Sequence, residues 1–191
     1  SDIRGKAENK RRLRAEVGLD EEDGPLVGVV SRLSSHKGLD LVLDCVTEIV
    51  GAGAQLVVLG SGDADLQQGF LGAARRWPGR VAVHVGLDGG LAHRIGAGSA
   101  LVLVPARSEP CGLTRMIAQR YGTLPVVRQT GGLADSVSDV VSAEKGTGFV
   151  FHDPDPPHLM RAIHRALRTY REPTTWDAIQ QRIMGLELGW E

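Results

Sequence analysis

Five apolar runs recur along this chain, each separated from the next by a helical pattern, and that alternation limits the fold more than any other feature. The runs are PLVGVVS (25–31), AQLVVLG (54–60), RVAVHVG (80–86), SALVLVP (99–105) and TLPVV (123–127). A strand with one wet face alternates apolar and polar residues, whereas a strand covered on both faces is apolar nearly throughout. Between the runs, apolar residues return at helical spacing. Leu39, Val42, Leu43, Val46, Ile49 and Val50 follow the first run, and Leu66, Phe70, Leu71 and Ala74 the second. HRIGAG (93–98) is predicted as a short helix and GLTRMIAQRYG (112–122) as a longer one. TGFVF (147–151) reads as a sixth strand, kept at an edge by the prolines of DPDPP beyond it. Two helical patterns follow, Leu159, Ala162, Ile163, Ala166, Leu167 and Tyr170, then Trp176, Ile179 and Ile183. The pattern predicts an α/β fold, a Rossmann-like doubly wound parallel sheet. Residues 1–20 are charged and helical in propensity and are expected to be a lead-in beside the core, with the domain over 21–191.

Such sheets bind ligands beyond the carboxyl ends of their strands. The loops at those ends are SRLSSHKG, GSGD, GLDGG, PARSEPCGLT and RQTGG, and all five carry glycine or charge. Net charge is −1, from 22 basic and 23 acidic residues. No global field draws this chain to nucleic acid or to a membrane surface, so an anion must be held by a local cluster. No apolar run approaches the length of a bilayer span.

Arg32 and Lys37 lie in the first of these loops, between a buried strand and a helix. Two cations on one short loop suit a phosphate or diphosphate; the plainer reading is a solvated loop. In PARSEPCGLT, Gly112 lets the backbone enter a helix whose first amides, near Gly112, Leu113 and Thr114, face the ligand edge, and such a helix start is an anion site. Glu109 beside a phosphate site is repelled unless it faces something else. Sugar hydroxyls are one partner for it, and a salt bridge to Arg107 is the other. Gly62 and Asp63 of GSGD read as a nucleotide-binding turn or as a strand-to-helix turn capped by Asp63. Gly131 and Gly132 admit a ligand or simply turn the chain. Cys111 is read as a small wall residue of the pocket and Cys45 as a core helix residue. The six histidines show no metal-ligand spacing, so no metal is expected.

SRLSSHKGLDLV, LGSGDADLQ, HRIGAGSALVLVPARSEPCGLT, YGTLPVVRQTGGLADSV and TGFVF together resemble, in order and spacing, the bacterial glycogen synthases and plant starch synthases. The resemblance runs from about residue 7 onward. It implies the C-terminal, donor-binding half of a GT-B glycosyltransferase, a retaining enzyme moving glucose from ADP-glucose to the non-reducing end of an α-1,4-glucan. It implies an N-terminal acceptor domain absent from this chain, and a fragment inactive alone. Arg32 and Lys37 match the cations on the donor diphosphate, and Glu109 the carboxylate that holds the glucose hydroxyls and is needed for activity. Gly112, Leu113 and Thr114 match the helix start under the phosphates, and Gly62 and Asp63 the nucleotide contacts. No cofactor is implied, because Arg and Lys stand in for a metal. The setting implied is bacterial cytoplasm, or a plastid for a plant or algal source. Three positions depart from the pattern: Leu87 where an aromatic residue commonly stacks on adenine, Ser108 for phenylalanine, and Arg115 for glutamine. The alternatives are a GT-B enzyme using a UDP-sugar on another acceptor, and an isolated nucleotide-binding module without activity.

Overall fold

The apolar runs become strands of a six-stranded parallel sheet in the computed structural model, which describes residues 3–110, 112–142 and 144–188. The strands are β1 Leu26–Val30, β2 Gln55–Gly60, β3 Val81–Val85, β4 Leu101–Val104, β5 Leu124–Arg128 and β6 Phe149–Phe151. The helices are α1 Lys6–Val17, α2 Leu39–Gly51, α3 Ala64–Arg76, α4 Gly89–Gly98, α5 Leu113–Arg120, α6 Gly131–Ser136, α7 Pro156–Tyr170 and α8 Pro173–Met184. None of them is long and apolar enough to cross a membrane.

Side chains alternate between the faces of a strand, and here the alternation divides the core. Val27, Val29, Leu56 and Val58 pack with Val42, Cys45, Val46 and Ile49 of α2 and with Leu159, Ile163 and Leu167 of α7. Leu26, Val57 and Leu59 face the other way, onto Leu13, Leu91 and Ile95. Cys45 is a core residue as expected, and burial pushes its thiol up to about 12.

Helix α1 and the turn that follows it are part of this core rather than a lead-in beside it. Leu13 and Leu19 are buried against α4. Arg14 is only 4% exposed, and its guanidinium donates to Gln55 Oε1 at 2.6 Å and to the Gly24 carbonyl at 2.7 Å. The apolar stripe of α1 is narrow and its other faces are charged, so composition hid its packing. The GLDGG stretch likewise is not all loop. Asp88 accepts a bond from the Leu91 amide at 2.9 Å, and α4 starts at Gly89.

Strand order across the sheet is β3-β2-β1-β4-β5-β6. The chain builds outward from β1 to β3, then crosses back to lay β4 on the other side of β1. That reversal is the place where such sheets open a crevice. The β1–β4 ladder spans only Val27–Leu101 and Gly28–Val102, whereas β1 pairs with β2 from Leu26 to Val30. Past Gly28 the ladder between β1 and β4 stops.

Candidate functional site

Two loops frame the opening between β1 and β4: residues 31–38, leading into α2, and 105–112, leading into α5. The first is tied to the end of β2. Leu33 N–H donates to the Ser61 carbonyl at 2.9 Å, and Asp63 N–H to the Leu33 carbonyl at 2.8 Å. It leaves through Gly38, whose φ of 75° favours glycine and where a Cβ would strike the Pro105 carbonyl of the second loop. Gly112 makes the corresponding entry into α5 at φ 69°.

The pair brought together is Lys37 and Glu109. Lys37 Nζ donates to Glu109 Oε2 at 2.9 Å, with 29% and 15% of the two side chains exposed. The other carboxylate oxygen of Glu109 accepts from the Gly112 amide at 3.3 Å. The expected alternative, a bridge from Glu109 to Arg107, is not what forms. Arg107 turns away, donating through both terminal nitrogens to Asp40 at 2.8 and 2.9 Å. Arg32 is exposed, and its guanidinium makes no ion pair or hydrogen bond with another described residue.

Two connected hollows lie here. The narrower, about 270 Å³, is lined by Lys37, Glu109, Gly112 and Leu113. The wider, about 560 Å³, is lined by Gly60, Gly62, Leu87, Asp88 and Gly89. Arg32 and Thr114 line both and stand at the junction. Volumes of this size suit small-molecule sites. The geometry thus offers a cation and a carboxylate in one chamber, a free guanidinium at the neck, and a second chamber walled largely by glycine backbone with Leu87 and Asp88 beside it. Gly112, Leu113 and Thr114 at the amino end of α5 line this region, a favourable place for negative charge.

Of the residues singled out from sequence, Arg32, Lys37, Gly62, Glu109, Gly112, Leu113 and Thr114 line the hollows. Asp63, Gly131 and Gly132 do not. Asp63 sits at the N-cap position of α3 without a side-chain cap bond. Gly131 and Gly132 open α6 and bear on the loop from behind, where the Gly132 amide donates to the Glu109 carbonyl at 3.0 Å. Cys111 lies outside the described residues. Asp40 was not anticipated, although it lies within the quoted SRLSSHKGLDLV stretch. Near the sheet's carboxyl edge Leu87 is 97% exposed, a bare leucine at the rim of the wider hollow.

Comparison with known proteins bears on the family and the fold. The sequence model described as "Glycosyl transferases group 1" matches residues 9–181. The glycogen synthase of Pectobacterium carotovorum subsp. carotovorum is 46% identical over 194 residues, covering 99% of this chain and 40% of that protein. The glycogen synthase of Erwinia tasmaniensis is 48% identical over 192 residues, covering 97% of this chain and 40% of that protein. Among solved structures, the catalytic domain of starch synthase IV from Arabidopsis thaliana, bound to ADP and acarbose, superimposes with a TM-score of 0.91 at 36% identity. That match covers 99% of this chain and 40% of that one. The chain therefore spans about 40% of the length of the relatives it matches.

Proposed function

The chain belongs to the group 1 glycosyl transferases, and from that premise we propose that it is the donor-binding part of a retaining glucosyltransferase acting on ADP-glucose. The acceptor is the non-reducing end of an α-1,4-glucan, as in glycogen and starch synthesis. The acceptor-binding part belongs to the remaining length of the relatives, so the 191-residue chain binds donor weakly and transfers no glucose. For a bacterial source the setting is the cytoplasm, and for a plant or alga the plastid.

The observation that carries this reading is the Lys37–Glu109 pair in the narrow chamber, with the unpaired Arg32 at the neck. A nucleotide in the wider chamber sets its diphosphate at the neck, between Arg32, Lys37 and the first amides of α5. The sugar then enters beside Glu109. As the bond from glucose to the diphosphate breaks, negative charge grows on the leaving ADP. Cations already fixed at that spot stabilise the transition state more than the ground state. In this reading Arg32 and Lys37 neutralise the diphosphate without a metal or cofactor. Glu109, released from Lys37, accepts hydrogen bonds from glucose hydroxyls. Gly62 and Thr114 contact the nucleotide, and Leu113 closes the wall.

Titration calorimetry of the chain with ADP-glucose and UDP-glucose tests the proposal. Binding of ADP-glucose in preference to UDP-glucose is expected. A preference for UDP-glucose assigns the site to another sugar donor, and glucan elongation by the chain alone overturns the view that the reaction needs a second part.

A further inference from the structure

The ladder between β1 and β4 stops at Gly28 and Val102, two residues before either strand ends. Beyond that point the sheet itself does not fix the distance between the loop carrying Lys37 and the loop carrying Glu109. Yet the two side chains meet at 2.9 Å, so something else must hold the loops in register. Arg107 does so in three ways. Its backbone N–H donates to the His36 carbonyl at 2.9 Å. Its guanidinium donates to the Ser35 carbonyl, and grips both carboxylate oxygens of Asp40 at 2.8 and 2.9 Å. Asp40 lies in the first turn of α2, so the grip reaches past the loop to a rigid element. On the far side, the Arg107 carbonyl accepts from Thr130 Oγ1 at 3.3 Å and the Glu109 carbonyl from the Gly132 amide at 3.0 Å.

We propose that Arg107 is a positioning residue: by gripping Asp40 it fastens the loop bearing Glu109 to the loop bearing Lys37 and sets their spacing for the donor. A planar guanidinium making two parallel bonds fixes direction as well as distance, which an ammonium cannot do. Asp40 titrates below its usual value in keeping with this. Partial burial pushes its carboxyl upward, but the hydrogen bonds and charge of Arg107, together with the Asp40 and Leu41 amides, outweigh it. The consequence for the donor rests on the reading of this site as a nucleotide-sugar site, whereas the fastening itself does not.

Two variants test it, Arg107→Lys, which keeps the charge and loses the second bond, and Asp40→Asn, which keeps the shape and loses the charge. Amide hydrogen exchange of the unliganded chain reads the fastening. The Arg107 and Gly132 amides should exchange about tenfold faster or more in both variants, while β2 amides are unchanged, because only a local opening has been made easier. Calorimetry reads the positioning. The dissociation constant for ADP-glucose should rise about tenfold, and that for free ADP less, since misplacing a group by a fraction of an ångström weakens only what depends on it. Unchanged exchange at both amides would show that the loops are held by other contacts and would overturn the proposal. Faster exchange with undiminished ADP-glucose binding would reduce Arg107 to a structural residue. A parent chain that binds neither nucleotide would defeat the donor reading alone, because the exchange data would still decide the fastening.

Discussion

Lys37 Nζ lies 2.9 Å from Glu109 Oε2, so a cation from the loop after β1 and a carboxylate from the loop after β4 neutralise each other across the mouth of the sheet. The two residues are 72 positions apart in sequence. They meet because β1 and β4 are neighbours although β2 and β3 intervene along the chain. In the proposed cycle each exchanges this partner for a part of the donor: Lys37 for the diphosphate, Glu109 for the sugar.

Replacing Lys37 with alanine should weaken ADP binding by about tenfold or more, the size expected for loss of a charge-assisted contact to phosphate. The melting temperature should barely move, because the pair is partly exposed. Calorimetry on folded protein checks this, and undiminished affinity would favour a sheet with no ligand at this edge.

The substitution Glu109→Gln should separate the two halves of the donor. ADP itself should bind as well as before or better, since Lys37 no longer has a competing carboxylate. ADP-glucose should lose the advantage of its sugar, by about fivefold to tenfold for one charged hydrogen-bonding group. Equal losses for the two ligands would place the sugar away from Glu109.

Leu87 projects into solvent at the rim of the wider hollow, 97% exposed, so its replacement disturbs no packing. Leu87→Tyr should strengthen ADP binding by about 0.5–1.5 kcal/mol if the base lies against this rim, the usual gain from an aromatic pair. Competition between ADP and an ADP analogue lacking the base would measure it. A gain for both ligands, or for neither, would put the base elsewhere.

Lys6 is half-buried where α4 ends. Its ammonium donates to the Ala97 and Tyr121 carbonyls at 3.0 and 3.1 Å and to Thr123 Oγ1 at 2.6 Å. Burial, with the Lys10 charge second, brings its pKa down to about 7. An unfolded chain protonates this lysine below about pH 10.4, and the folded chain only below about 7. Between those values the unfolded state binds more protons, so stability rises with pH across that window and is flat in this respect below it. Denaturant midpoints of the parent chain should therefore climb from about pH 7 to about pH 9 relative to those of Lys6→Met, which has nothing to titrate there. Parallel pH profiles would mean that the lysine is charged in the fold throughout.

The reach of the sequence differs between the strands and the site. The runs around Val27, Leu56 and Leu101 are legible because a strand covered on both faces leaves no polar position, and no other element of that length reads so. Arg32 and Lys37 were legible because they follow such a run directly. The helix Lys6–Val17 was not read as core, since one buried leucine among charges is a weak periodic signal. The partner of Glu109 was not legible either. Arg107, two residues away, was the expected salt-bridge partner, but the turn of the loop sends its guanidinium to Asp40 instead. Gly131 and Gly132 looked like ligand-facing glycines, and only the packing of α6 behind the loop shows that they support it instead.

Sequence by itself determined the parallel sheet, the edge at which sheets of this kind bind ligands and the residue types that wait there. Each of these follows from local periodicity and from the rule that strands hand over to helices at one edge. Which side chains face one another was decided by tertiary structure alone. The order in which strands lie side by side is a property of the whole packed core. The course of the loop after β4 decides that Lys37, and not Arg107, stands beside Glu109.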